Sequence, residues 1–284
     1  MQLAADHVFV QGSTHQVCQD YSYTSTEHSP AVAIVADGCS SSPHTDVGAR
    51  LLALEAGLVS ARGVDMIDVG TACAMYGSAR AHVPWAIRDV DCLDATLLVA
   101  QAFPATGILR VVAWGDGVLV RRRRADAGLE VVRVSFLGPN DKPSDYPVYL
   151  AYFTREDRLH TVLERSPFRR VETWDLAAGQ PPQVSVESVR DNPVFVWSGE
   201  AEQYDLITLL SDGVGTFYRE VESGTWKHPE RIGLSEVIEP LVSFRGAGPF
   251  VLRRVTRALR DWAREGITHA DDLAVAALRI GGEA

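Results

Sequence analysis

The sequence predicts an α+β fold: a mostly antiparallel sheet system flanked by helices. Three observations carry this. The segments run as strands, two helices, many strands, helices and a last strand, without the alternation that builds a parallel βαβ sheet. The strand-like stretches in the middle are joined by short turns such as "PATG", "GDG" and "ADAG". Finally, the 284 residues hold no repeat of solenoid length and no low-complexity linker, so one domain over 1–284 is the simplest organisation.

In order along the chain, "HVFVQGSTH" (7–15) and "YSYTST" (21–26) are β-rich, and "AVAIVA" (31–36) is an apolar run suited to a strand covered on both faces. The stretch "TDVGARLLALEAGLVSARG" (45–63) places Val47, Leu51, Leu52, Leu54 and Leu58 at helical spacing, and Gly63 stops it. A second helix over 65–83 carries a face of small residues. "ATLLVAQAF", "GILRVVAW", "GVLVRRRR" and "LEVVRVSF" then form a strand meander, in which Arg121 to Arg124 read as a strand end or edge with solvated charges. Residues 137–204 are the least patterned; "VYLAYF" (148–153) and "PVFVWSG" (193–199) resemble strands. Two helices follow over 233–244 and 249–266, the latter with Leu252, Val255, Leu259 and Trp262 on one face. "LAVAALRI" (273–280) is the last strand.

Composition narrows the function. A net charge of −10 argues against a nucleic-acid scaffold, because phosphate backbones are held by clustered cations. The four cysteines, Cys18, Cys39, Cys73 and Cys92, fall in no CxxC or Cys/His ligand spacing, so neither a disulfide framework nor a zinc site is expected. The N-terminal stretch lacks the pattern of a signal peptide, and no window approaches the ~20 apolar residues of a membrane helix. A cytoplasmic protein with no membrane association is the expectation.

Chemistry is suggested by a recurring pattern. "AVAIVADGCSSS" and "DLITLLSDGVGTF" each end an apolar strand in Asp-Gly, and "DDLAVAALRI" opens a strand with a carboxylate pair. The glycine lets the chain turn sharply and leaves its carbonyl accessible. If the three strand ends meet, like charges crowd one site and a cation must neutralise them. Oxygen donors without His or Cys favour Mg²⁺ or Mn²⁺. A single Asp-Gly is ordinarily a turn, and spacing alone leaves that account standing.

The order of motifs resembles the PP2C-type metal-dependent protein phosphatases (the PPM family). The similarity runs through "GSTHQVCQDY", "VADGCSSSPHTDVGA", "DATLLVA", "VVAWGDG", "ITLLSDGVGTF" and "ADDLAVAAL", spanning 9–279 with a divergent segment near 137–204. The resemblance implies an αββα sandwich of two antiparallel sheets with helices outside. It implies two Mn²⁺ or Mg²⁺ ions, with Asp37 bridging them, the Gly38 carbonyl binding one, and Asp212 and Asp271 completing the other's shell. Asp20 would sit beside the pair. A third ion in some relatives points to Asp91, with Asp94 close enough to compete. Asp272 and Asp116 are expected to stabilise local structure.

This chain departs from the pattern in three places. His15 stands where many relatives have a phosphate-binding arginine, Gln19 replaces an acid, and Cys39 replaces a histidine that follows Asp-Gly in the family, which leaves the general acid unassigned. His44 and His269 are expected to be surface histidines. The implied activity is hydrolysis of phosphoserine or phosphothreonine in proteins by direct attack of water, with Asp37 and Asp212 as catalytic residues and a Ser/Thr kinase opposing it. The alternatives are a phosphatase for a small phosphoester and a non-catalytic phosphate-binding regulatory module of the same fold.

Overall fold

A computed structural model describes residues 1–64, 68–87, 91–223, 226–246 and 248–281. The first strands are β1 (Leu3–Val10), β2 (Asp20–Ser25) and β3 (Ala31–Gly38), followed by helices α1 (Thr45–Ala61) and α2 (Val69–Ala81). Next come β4 (Ala95–Phe103), β5 (Ile108–Trp114), β6 (Gly117–Arg123) and β7 (Leu129–Leu137). Helix α3 (Glu156–Arg165) precedes β8 (Phe168–Asp175), β9 (Gln183–Ser188), β10 (Phe195–Glu200) and β11 (Tyr204–Leu210). The chain continues through β12 (Phe217–Ser223), β13 (Trp226–Arg231), α4 (Leu234–Val242), α5 (Phe250–Arg264), β14 (Ile267–His269) and β15 (Leu273–Ile280). The start of the second predicted helix, 65–67, lies outside the described residues.

Two antiparallel sheets dominate, one of seven strands in the order β1-β15-β11-β6-β7-β8-β9 and one of five in the order β10-β5-β4-β3-β2. Alternation along the strands divides their side chains between two layers. In β3, Val32, Ile34 and Ala36 meet Ala49, Leu52, Ala53 and Ala56 of α1, whereas Ala31, Ala33 and Val35 face the other sheet. In β15, Leu273, Val275 and Ala277 meet α4 and α5, whereas Ala274, Ala276 and Leu278 face inward. The layers are therefore helix, sheet, sheet, helix, the predicted αββα sandwich. The inter-sheet layer is rich in alanine: Ala31, Ala33, Ala100, Ala102, Ala113, Ala274 and Ala276 all belong to it.

Local readings are corrected in several places. The meander over 95–136 is two hairpins in different sheets: β4 and β5 lie in the five-stranded sheet, β6 and β7 in the seven-stranded one. The "GDG" turn makes the crossing, with Gly115 and Gly117 at φ 102° and 143°, a region open to glycine. Strand β6 is internal, so its arginines are paired rather than solvated. Arg121 meets Glu130 at 2.9 Å and stacks over Trp197, Arg122 meets Asp205 at 2.7 Å, and Arg123 contacts Asp126, Glu130 and Asp175. Arg124 donates to the Tyr204 and Ile280 carbonyls.

"VYLAYF" is not a strand. Leu150–Thr154 form a 3-10 turn whose Leu150 packs into the α1 and α2 core while Val148 joins a small cluster with Val162 of α3. Splitting its apolar residues between two clusters leaves no period for a strand. The three-stranded sheet β13-β12-β14 and helix α3 were not visible as periodic segments. Each long helix leaves part of its predicted stripe exposed, while Leu51 and Leu52 of α1 and Val255, Leu259 and Trp262 of α5 pack on the core as expected. Leu54 and Leu58 of α1 are exposed, while Gly48, Ala49 and Ala53 face inward. In α5, Leu252 is exposed and Phe250, Val251, Val255 and Ala258 are buried. Close approach explains α1: a Cβ on Gly48 would lie 1.6 Å from the Cys92 carbonyl oxygen.

Ile34 is fully buried in the helix-facing layer of the five-stranded sheet. Ile34→Ala is expected to lower unfolding free energy by about 2–5 kcal/mol, measured as the urea midpoint, from lost burial plus the cavity left behind.

Candidate active site

Five aspartates from separated places in the chain meet at one end of the sandwich. Asp20 and Asp37 are register partners across β2 and β3, so their side chains leave the same face. It is the face that carries Ala33 and Val35, and the carboxylates therefore point into the end of the inter-sheet layer. The Asp37 amide donates to Thr96 Oγ1 at 3.2 Å. Asp212 begins a 3-10 turn after β11, Asp116 occupies the β5–β6 crossing turn, and Asp271 leads into β15. The two glycines after the aspartates are required by space. A Cβ on Gly38 would meet the Thr45 side chain at 2.8 Å and the Gln19 carbonyl at 2.9 Å. One on Gly213 would lie 1.7 Å from the Asp272 carbonyl oxygen.

Electrostatics show how closely these groups crowd. Burial, with the Asp212 and Asp272 charges, raises Asp20 to about 7 against hydrogen bonds from Ser211 and Asp37. Burial and the charges of Asp20, Asp212 and Asp116 hold Asp37 well above the usual carboxylate range. Asp116 is pushed up to about 8 by burial and by Asp212 and Asp271, against the opposing Arg133 charge. Asp271 is also raised, by burial and then Asp212. Asp116, expected only to hold its turn, is thus a full member of the cluster. Nothing local in the sequence signalled it: only once β5 and β6 are seen to enter different sheets does the carboxylate between them fall at the shared rim.

Asp272 does the structural work expected of it. Buried at 2% exposure, it accepts from the Gly12 amide at 2.7 Å and the Gln19 amide at 2.6 Å, fixing the loop between β1 and β2. His15 lies in that loop with Nδ1 2.9 Å from Asp272 and Nε2 3.3 Å from Asp271. Burial opposes its charge, but the Asp272 hydrogen bond and the charges of Asp272, Asp271 and Asp20 prevail and raise its pKa. Both its nitrogens face carboxylates. Asp91 and Asp94 are not brought into the cluster. Arg158 grips Asp94 through two bonds of 3.0 and 2.6 Å, and Arg155 and Arg158 contact Asp91 at 3.2 and 3.1 Å.

Two histidines differ from each other: His44 is exposed ahead of α1, whereas His269, expected at the surface, is buried and stacked on Phe217 at 5.2 Å. Sequence reasoning also missed Tyr149, in the divergent segment. It is buried, and burial drives its pKa upward, with Cys39, Asp116 and Asp37 close enough to add to the shift. Only an apolar neighbourhood in sequence surrounds it, so nothing pointed to the site.

The donor set suits a hard divalent cation. It consists of carboxylate and carbonyl oxygen, and Asp20 Oδ2 is buried with no hydrogen-bond partner. Among the described residues no three His, Cys, Asp or Glu side chains are gathered tightly around one point. The aspartates instead stand as electrostatically interacting neighbours, Asp20 opposite Asp37 across the strands and Asp37 within reach of the Asp212 charge.

The family model for protein phosphatase 2C matches residues 12–243. The chain belongs to the protein phosphatase 2C family. Comparison with curated proteins finds no matching sequence. Among solved structures, the chain is similar to the serine/threonine phosphatase Stp1 from Staphylococcus aureus, with 11% identity, coverage of 99% of this chain and 96% of that one, and a TM-score of 0.52. It is similar to a bacterial serine phosphatase at 10% identity, 100% coverage of both chains and a TM-score of 0.52. The PP2C domain of the cell fate determinant SpoIIE from Bacillus subtilis matches at 11% identity over 100% of this chain and 65% of that chain, TM-score 0.50. These likenesses show that the PP2C fold is shared.

The raised carboxyls make metal-free stability depend on pH. A group whose pKa rises from 3.8 to about 8 on folding keeps a proton that the unfolded chain releases. Stability is therefore lost as pH rises from about 4 to 8, by up to about 1.4 kcal/mol per unit for each such proton. Thermal melts in chelator should show Asp116→Asn flattening this decline, and Mn²⁺ stabilising the wild type more at pH 8 than at pH 5.

Asp272→Ala removes the acceptor of two amides and leaves the buried Gly12 donor and the half-buried Gln19 donor unpaired. It is expected to cost about 2–5 kcal/mol in chemical denaturation.

Proposed function

We propose that this PP2C family member is a metal-dependent phosphatase acting on phosphoserine or phosphothreonine in proteins, opposing a Ser/Thr kinase, with Mn²⁺ or Mg²⁺ as cofactor. The observation that carries the reading is the convergence of Asp20, Asp37, Asp116, Asp212 and Asp271 at one rim, where burial and then neighbouring carboxylates raise the pKa of four of them. Such crowding is unfavourable at neutral pH without a counter-charge.

In this reading Asp37, the Gly38 carbonyl, Asp212 and Asp271 would hold the ions, with Asp20 beside them. When bound, divalent cations supply an activated water at neutral pH and positive charge for the phosphoryl oxygens. The chain's own residues set up the rest. Thr96 and Ser211 fix the backbone at the two strand ends: Thr96 accepts from the Asp37 amide, and Ser211 Oγ accepts from the Ala274 amide at 2.9 Å. Asp272 and His15 hold the Asp271 segment against the β1–β2 loop. Arg155 and Arg158 already neutralise Asp91 and Asp94, so the proposal is confined to two ions. No protein nucleophile is needed. Cys18, the thiol beside Asp20, is pushed up to about 12 by burial and the Asp272 and Asp20 charges, which disfavours a thiolate.

The decisive experiment compares aryl phosphate and phosphopeptide hydrolysis in Mn²⁺ and in chelator, for the wild type, Asp37→Ala and Asp212→Ala. Activity should require metal and fall by more than about a hundredfold in each variant. Turnover that persists in chelator or in either variant overturns the proposal.

A further inference from the structure

A cavity of about 470 Å³ extends from the aspartate rim along the outer face of the seven-stranded sheet. Asp116, Asp212 and Thr216 line one end of it, and Arg133, Arg170 and Arg231 line its wall. Arg133 lies on β7 and Arg170 on β8, both beyond the part of the sheet that α4 and α5 cover, and Arg231 ends β13 just before α4. Arg133 and Arg231 are exposed. Arg170 meets Glu172 at 2.8 Å through Nη2, which neutralises that carboxylate, and its Nε is buried without a hydrogen-bond partner. The remaining acid on the wall is Asp145, on the loop that follows β7.

We propose that this arginine wall is a subsite for a second anionic group of the substrate, namely an acidic stretch of peptide flanking the phosphorylated residue. The inference rests on the phosphatase reading for the placement of the phosphate at the aspartates. A chain of net charge −10 with five carboxylates at the rim repels an acidic peptide. The arginines place positive charge next to that rim, and Arg133 already acts on Asp116 electrostatically. A phosphoryl group at the aspartates leaves flanking side chains within the same cavity, where guanidinium groups pair with carboxylates through two parallel hydrogen bonds. A neutral or basic flank gains nothing from this wall, so the subsite sets specificity rather than chemistry.

The test uses two fluorescein-labelled peptides containing a phosphonate analogue of phosphoserine, which resists hydrolysis, flanked by glutamates in one and by glutamines in the other. Fluorescence anisotropy in Mn²⁺ should give a Kd about five- to tenfold lower for the glutamate peptide, consistent with two partly exposed ion pairs. In Arg133→Gln/Arg231→Gln that ratio should fall below about twofold. Both arginines are exposed, and circular dichroism verifies that the double variant is folded. Equal affinity of the wild type for the two peptides, or a preference that survives in the double variant, overturns the subsite. Failure of the wild type to hydrolyse either phosphoserine peptide or an aryl phosphate in Mn²⁺ sinks the phosphatase reading instead, and the glutamate-to-glutamine ratio still decides the subsite alone.

Discussion

Mutual repulsion among aspartates at the rim of the sandwich is the constraint to which the rest of the structure answers. A chain has no reason to bury Asp20 opposite Asp37 for its own stability, since burial disfavours ionisation of both and the Asp20 charge adds to the cost at Asp37. The fold nevertheless enforces the pairing through an eight-residue register in β3 and β4 and a six-residue one in β2 and β3. Stability drawn from two sheets and their helices holds together a rim that on its own would fly apart. That is the usual signature of a functional site, where local rules are broken and the surrounding structure absorbs the strain.

Much of this was legible in the sequence. The strand-Asp-Gly pattern gave Asp37 and Asp212, the acid pair before β15 gave Asp271 and Asp272, and their order along the chain gave the family. Each rests on short-range information: an apolar run, a glycine forced by close approach, a carboxylate at a fixed offset. Gly38 and Gly213 illustrate it, because both abut backbone or β-branched atoms that a Cβ would strike.

What stayed hidden depends on which sheet a strand joins. Asp116 resembles a turn residue until β5 and β6 are known to separate into different sheets. The arginines of β6 resemble an exposed edge until β11 and β7 are seen on either side. Tyr149 and Arg158 lie in the segment with the weakest pattern, yet the first contacts Cys39 and the second binds Asp94. Packing assigns these roles, and nothing in the local spacing of residues announces them. The same is true of α1, whose small residues face the sheet while two leucines face water.

The alanine-rich layer between the sheets has a consequence for the spacing of the rim. Asp20 and Asp37 ride on the five-stranded sheet, while Asp212 and Asp271 ride on the seven-stranded one. The gap across which oxygen donors face each other is therefore gauged by methyl groups such as those of Ala33, Ala100, Ala274 and Ala276. These shims lie along the strands behind the rim, and a bulkier side chain among them would splay the two jaws. The separation of the rim carboxylates is in this sense gauged by the interior of the sandwich, and under the proposed metal-dependent reading ion preference would become something the hydrophobic core can tune.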